Sequence, residues 1–203
     1  MALSPHALVD LDDLKTELTL VSADADRLLE DLINAATAQI ETFTRRRLKA
    51  RTYKPTGAGA GEVNLKLNGD ERISTTKFLF PEYPLNSIAA LVIKDADLKD
   101  PNTLDVATDL VFVPETGLVV LINGDSWKKG IQNIEATFNA GEVPDDLERA
   151  ARMLVKWMYL STDRHRSGIS SISTEGQTVS YIQRAMPPDI EFMLQKYVRP
   201  LHG

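Results

Sequence analysis

Residues 24–47 read DADRLLEDLINAATAQIETFTRRR, and this stretch decides the fold. Leu28, Leu29, Leu32, Ile33, Ala36, Ile40 and Phe43 recur at three- and four-residue spacing, the period at which helical side chains share one face. Asp24 stands where an N-cap belongs and the arginines close the stripe, so the spacing predicts a helix from Asp24 to Phe43. Ala35, Ala36 and Ala38 suit close helix contact, but alanine is also the best helix former, and propensity is the simpler reason for them. A helix with a single apolar stripe must bury it, so the rest of the chain has to supply partners.

Three further segments have helical period. Leu11, Leu14 and Leu18 follow Asp10, which predicts a short amphipathic helix with an acidic cap. Pro144 introduces Leu147, Ala150, Ala151, Leu154, Val155 and Met158, with Asp145, Asp146 and Glu148 favouring the positive end of that helix. Pro187 and Pro188 precede Ile190, Met193, Leu194 and Tyr197, a final short helix stopped by Pro200.

Between Tyr53 and about residue 140 the period changes to two. Gly57, Gly59 and Gly61 make a hinge-like loop, after which Val63, Leu65 and Leu67 alternate with polar residues. Residues 78–80, 88–93, 110–113, 118–122 and 131–138 are short apolar runs bounded by turn formers, which predicts strands. Glu115-Thr116-Gly117 between two such runs is a hairpin signal. The expected fold is therefore α+β: a small α-helical bundle built from N-terminal (1–50) and C-terminal (143–203) helices, with an inserted antiparallel β-barrel or sandwich-like domain at 51–142. Ser167 to Gln183 has one charge, Glu175, and seven Ser or Thr, which reads as an extended arm (167–183) carrying Ile172, Val179 and Tyr181.

Composition narrows the function. The 203 residues contain no cysteine, which removes disulfides, thiolate metal sites and cysteine nucleophiles together. No apolar run is long enough to cross a membrane, and Met1 is followed by Pro5, His6 and Asp10 rather than by a basic then apolar leader. A soluble, cytosolic product without membrane contact is expected. A net charge of -6 disfavours nucleic-acid binding by bulk electrostatics. That charge is segregated. Residues 10–31 hold eight acids, among them Asp12, Asp13, Asp24 and Asp26, against Lys15 and Arg27, whereas Arg45, Arg46, Arg47, Lys49, Arg51 and Lys54 have no acid among them. Two explanations stay open: the charges complement helix dipoles, or the poles meet between neighbouring copies in a head-to-tail contact.

No catalytic or metal constellation emerges. His6 and His202 lie near the termini, and His165 sits between Arg164 and Arg166, which disfavours protonation and metal binding alike. The glycine loop lacks a following Gly-Lys-Ser/Thr, and Asp95, Asp97 and Asp100 lack the other ligands of a calcium loop. We expect no cofactor, no metal and no enzyme; a hydrolase using scattered carboxylates is the least favoured reading. Trp157 is expected in the core. Trp127, in Gly-Asp-Ser-Trp-Lys-Lys, is a candidate exposed anchor, and with Tyr83 it would supply stacking platforms if the β region held a carbohydrate or a tail-fibre protein.

The order of the segments is more specific than any one of them. Leu8-Val9-Asp10-Leu11-Asp12-Asp13-Leu14-Lys15, the helix ending Thr42-Phe43-Thr44-Arg45-Arg46-Arg47-Leu48, the strand-rich middle closing Ala140-Gly141-Glu142-Val143-Pro144-Asp145-Asp146-Leu147, and the terminal Met186-Pro187-Pro188-Asp189-Ile190-Glu191 turn together resemble the head-tail connector, or adaptor (head completion), proteins of tailed bacteriophages. Members often have glycine where Arg45 stands. The resemblance implies a structural, non-enzymatic ring, usually dodecameric, beneath the portal protein, with DNA passing through its lumen without sequence-specific binding and the tail terminator or neck proteins docking below. It implies a virion location after synthesis in the host bacterial cytoplasm. Twelve copies at -6 would carry about -72, a potential that repels DNA, as suits a conduit. On this reading the acidic and basic poles are candidate subunit contacts, and the arm adds a strand to a neighbour's sheet. Ile190, Met193, Leu194, Tyr197 and Arg199 are candidates for the portal contact, with packing of the apolar four inside the bundle as the open alternative.

Overall fold

The computed structural model describes residues 2–59, 61–71, 74–163, 171–174, 177–180 and 186–199. In chain order the elements are α1 (Leu11–Glu17), α2 (Asp26–Thr44), β1 (Arg51–Lys54), β2 (Glu62–Asn64), β3 (Lys77–Leu79), β4 (Leu85–Ile93), β5 (Asn102–Leu104), β6 (Leu110–Val113), β7 (Leu118–Leu121), β8 (Ile134–Ala140), α3 (Asp145–Asp163), β9 (Ser171–Thr174), β10 (Gln177–Ser180) and α4 (Pro188–Leu194). They form two compact units, Met1–Arg46 with Val143–Gly203, and Arg47–Glu142. The α+β class holds, with the strands inserted between helices.

The helical unit is built on α2, which packs against α1 and α3, while α3 packs against α4. Leu29, Ile33, Ala36, Thr37, Ile40 and Thr44 are the buried stripe of α2. Leu28, expected in that stripe, lies about 100° round the helix from Leu29 and is exposed. Of the three alanines only Ala36 is buried, so propensity accounts for Ala35 and Ala38. Leu147, Ala150, Ala151, Leu154 and Val155 are the buried face of α3; Trp157, expected in the core, is half-buried at its margin. The segment before α1 is held down as well: Leu8 N–H donates to Thr37 Oγ1 at 3.2 Å, and Ala7, Leu8 and Val9 are buried.

The helix ends follow local chemistry. Asp10 caps α1, accepting from Asp12 N–H at 2.8 Å and Asp13 N–H at 3.4 Å. Asp24 is not the cap of α2. Ser22 lies two residues earlier in extended backbone and caps a 3-10 turn at Ala23–Ala25, receiving Asp24 N–H at 3.2 Å, and α2 continues from that turn. At the other end Arg45 takes a left-handed conformation, φ 56° and ψ 32°, and its N–H bonds back to Glu41 C=O. This is the C-terminal conformation that glycine usually supplies.

The β unit contains a five-stranded sheet in the order β2-β1-β8-β4-β5 and a three-stranded sheet in the order β3-β7-β6. No closed barrel forms among the described residues; the two sheets are sandwich-like. Pairing is antiparallel except for β1 with β2, which run parallel. Neither β1, hidden within the basic block, nor β5, which is polar, was foreseen from apolar periodicity. The β6–β7 hairpin forms where Glu115-Thr116-Gly117 predicts it, with Gly117 at φ 71° and Val113 paired with Leu118. Aromatic contacts join the two sheets: Tyr53 stacks on Phe138 at 4.8 Å, Phe138 meets Phe80 edge-on at 4.9 Å, Phe80 meets Phe78 at 5.7 Å, and Phe78 lies 4.8 Å from Trp127.

A buried amide organises the end of this core. Asn133 is fully buried, accepts from Gly69 N–H at 2.9 Å, and donates to the carbonyls of Lys94 and Lys128, both at 3.0 Å. All three bonds reach loop backbone, so one side chain replaces water for three main-chain groups. The approach requires glycine at residue 69, where a Cβ would stand 1.8 Å from Lys128 C=O.

Candidate assembly surfaces

The charged poles lie at opposite ends of α2. Nineteen residues at 1.5 Å per residue separate Asp26 from Thr44 by about 27 Å, several screening lengths at physiological salt. The two poles of one copy therefore cannot neutralise each other along this helix. Part of the acidic pole is satisfied locally: Lys15 Nζ lies 2.5 Å from Asp26 Oδ1, and Lys156 Nζ lies 2.8 Å from Glu17 Oε1. Asp12, Asp13 and Asp24 remain exposed. Of the basic pole, Arg45 and Arg47 are exposed and Arg46 is 8% exposed, while Lys54 pairs with Glu62 at 2.7 Å. The burial of Arg46 leaves it less surface to offer a neighbouring copy than Arg45 and Arg47 have.

The C-terminal segment closes on the bundle rather than standing off it. Tyr197 Oη donates to Asp146 Oδ1 at 2.6 Å, Lys196 forms an ion pair with the other carboxylate oxygen, and Arg199 N–H donates to Thr44 C=O at 2.9 Å, capping an end carbonyl of α2. The ammonium of Lys196 and the Tyr197 hydroxyl hold the Asp146 carboxyl below the usual carboxylate range. Asp146 in turn raises Lys196, and burial raises the Tyr197 hydroxyl.

Ile190 and Leu194 are buried in the bundle, so the intramolecular alternative holds for them; Met193, Tyr197 and Arg199 are half-buried. The exposed apolar residue of α4 is Phe192, at 83%, which sequence reasoning missed. Its signal was available, since Phe192 lies about 200° around the helix from Ile190 and so faces away from the stripe. Tyr181 falls outside the described residues, as do His165 and His202. Ile172 and Val179 are register partners across β9 and β10.

Trp127 is 2% exposed and packs on Phe78, so it offers no stacking face. The period-two reading could not place it because it follows a turn; its backbone N–H donates to Thr75 C=O at 2.7 Å. Among the described residues no group of three or more His, Asp or Glu could hold a metal, and no helix is long and apolar enough to cross a membrane.

A family model for head completion proteins matches residues 7–199. The chain belongs to the head completion protein family. This membership gives the protein a structural role in the head–tail region of a phage-like virion. No curated protein matches it. The fold of this head completion protein is similar to a chain in the neck of an empty gene transfer agent particle computed with C6 symmetry, at TM-score 0.59 and 19% identity over 100% of this chain and 96% of that one. It is similar to a chain in the virion of a native gene transfer agent particle, at 0.59 and 20% with the same coverage. A chain in the native neck computed with C12 symmetry gives 0.56 and 19%, again over 100% and 96%.

Proposed function

We propose that this head completion protein assembles into a closed ring in the virion neck, beneath the portal protein, with DNA passing through its lumen and tail terminator or neck proteins attached on the far side. The observation that supports this most strongly is the end-to-end likeness of the chain, within the family, to chains of particle necks treated with six- and twelve-fold symmetry. A dodecamer fits both symmetries.

The local physics agrees with such a role. Opposite charge at the two ends of α2 provides unlike surfaces on every copy, as a heterologous ring contact requires. Asp12, Asp13 and Asp24 are exposed to solvent, and so are Arg45 and Arg47. Phe192 is the exposed apolar side chain of α4, and with the half-buried Met193 next to it and the half-buried Arg199 beyond the helix it is the candidate surface for meeting the portal. The ring is structural and takes no cofactor; the carbohydrate-binding alternative loses one of its two stacking candidates with the burial of Trp127, while Tyr83 is half-buried.

The test is electron microscopy of the purified protein mixed with its portal, beside the Arg45→Glu/Arg47→Glu variant. Rings on the portal at low salt, weakened in the variant, are the expected result. Monomers that leave the portal bare at every protein concentration would refute the ring.

A further inference from the structure

The tripeptide Asn-Gly-Asp occurs twice in the β unit, at residues 68–70 and 123–125. An asparagine followed by glycine is prone to cyclise on its own backbone, because glycine has no Cβ to shield its nitrogen from the preceding side chain. The tripeptides are identical, so any difference in reactivity between the two sites is set by what surrounds each glycine N–H.

At the first site that N–H is occupied. Gly69 N–H donates to Gly130 C=O at 2.8 Å and to Asn133 Oδ1 at 2.9 Å, and Gly69 is buried. Asn68 Oδ1 is held as well, accepting from Gln132 N–H at 2.8 Å. Freeing the Gly69 nitrogen therefore requires opening the loop cluster around the buried Asn133 amide.

The second site is open. Asn123 and Gly124 are both exposed, and Gly124 N–H has no hydrogen-bond partner among the described residues. A Cβ on Gly124 would meet nothing within 4 Å, so no neighbour crowds the nitrogen. The next residue supplies a further element. Asp125 N–H donates to Asn123 Oδ1 at 2.9 Å, which puts a donor on the oxygen where negative charge develops when the side-chain carbonyl is attacked.

We infer that Asn123 is a site of spontaneous deamidation, and that the fold protects Asn68 in the same tripeptide. Hydroxide takes the proton from Gly124 N–H, and the nitrogen attacks Asn123 Cγ. The N–Cγ bond forms, the Cγ–Nδ2 bond breaks, and Nδ2 leaves as ammonia after taking a proton from water. Water then opens the cyclic imide at either carbonyl, giving aspartate at position 123 or an isoaspartyl linkage that runs the main chain through the side chain. The sum is one water consumed and one ammonia released. The change has a local consequence, because Asp125 Oδ2 accepts from Asn123 Nδ2 at 2.8 Å and from Asn102 Nδ2 at 3.0 Å, joining this turn to the first residue of edge strand β5. Deamidation removes one of those donors and sets a second carboxylate beside Asp125. This chemistry belongs to the single chain and does not depend on the ring.

The test compares the two sites in one molecule. The purified protein, folded or unfolded in urea, is held at mildly alkaline pH and sampled over time; tandem mass spectrometry locates the deamidated residue and enzymatic carboxyl methylation detects isoaspartate. In the folded protein Asn123 should convert at least about tenfold faster than Asn68, whereas in urea the two rates should agree within about threefold. Asn123→Gln, which cannot close the same ring, should remove the acidic species that accumulates on anion exchange. A smaller ratio in the folded protein, or an Asn123 that stays intact there while the unfolded chain converts, overturns the inference. A tenfold preference already present in urea overturns the part assigned to the fold, and an acidic species that persists in Asn123→Gln moves the reaction to another residue.

Discussion

Tyr197 Oη donates a 2.6 Å hydrogen bond to Asp146 Oδ1, fastening the turn after α4 to the first turn of α3. With Lys196 on the same carboxylate, a three-residue cluster closes the C-terminal segment on the bundle.

This cluster sets a pH dependence whose sign follows from the shifts. Asp146 is held below its ordinary value, first by Lys196 and then by Tyr197, so its contribution to stability is full above about pH 4 and fades as pH falls through the lower folded value. Lys196, raised by Asp146, and Tyr197, raised first by burial, contribute fully below about pH 10 and lose that contribution as pH rises through their folded values. Asp146→Asn should give thermal melts with a shallower acid limb than the wild type, and Tyr197→Phe should cost about 1 kcal/mol at neutral pH. Parallel acid limbs would show that the carboxylate is energetically idle.

Arg45→Gly should stabilise the isolated protein. A left-handed residue with a Cβ costs about 1–2 kcal/mol, and the added chain entropy of glycine takes back about 0.5–1, leaving a net gain of about 0.5–1 kcal/mol. Arg45→Val should destabilise, because a β-branched side chain tolerates this conformation least. Calorimetry on the two variants checks the ordering.

Gly69→Ala should be among the most damaging single-methyl additions in the chain. The new Cβ would meet Lys128 C=O at 1.8 Å and press on the Asn133 amide at 2.9 Å. We expect a loss of about 3 kcal/mol or more by chemical denaturation, against less than about 0.5 kcal/mol for alanine at Gly59, where the near atoms belong to the flexible Glu62 side chain.

Two neighbours on α4 should separate folding from assembly. Leu194→Ala removes a fully buried side chain and should cost about 2–5 kcal/mol, whereas Phe192→Ala removes an 83% exposed one and should change stability by less than about 0.5 kcal/mol. Portal binding, read by co-sedimentation, should weaken with Phe192→Ala despite its intact fold; unchanged binding would move the contact elsewhere.

Much of the architecture was legible because its causes are local. Asp10 caps α1 by reaching backbone N–H groups two and three residues on, and Gly117 turns the β6–β7 hairpin through its own φ. The stripe of α2 was readable for Leu29, Ile33, Ala36 and Ile40, though Leu28, placed in it as well, is exposed. Asp24 was misread because Ser22, two residues earlier, could serve the same geometry. The candidate surfaces were less legible. Arg46 sits between two exposed arginines and is buried, and nothing in the run of three distinguishes it. Ile190 and Leu194 show the same limit, since an apolar residue at helical spacing fits a core and a partner equally well.

By itself, the amino-acid order determined the α+β class, the placing of strands between helices, the two charge poles and the resemblance to head-tail connectors, because period, capping and charge act between residues close in the chain. Tertiary structure decided which apolar side chains are spent inside and which are left over: Trp127 inside, Phe192 and the Val111–Val113 face outside. Burial depends on what stands opposite a side chain, and in this β unit the residues opposite, Phe78 against Trp127 and Phe80 against Phe138, are about 50 to 60 positions away along the chain.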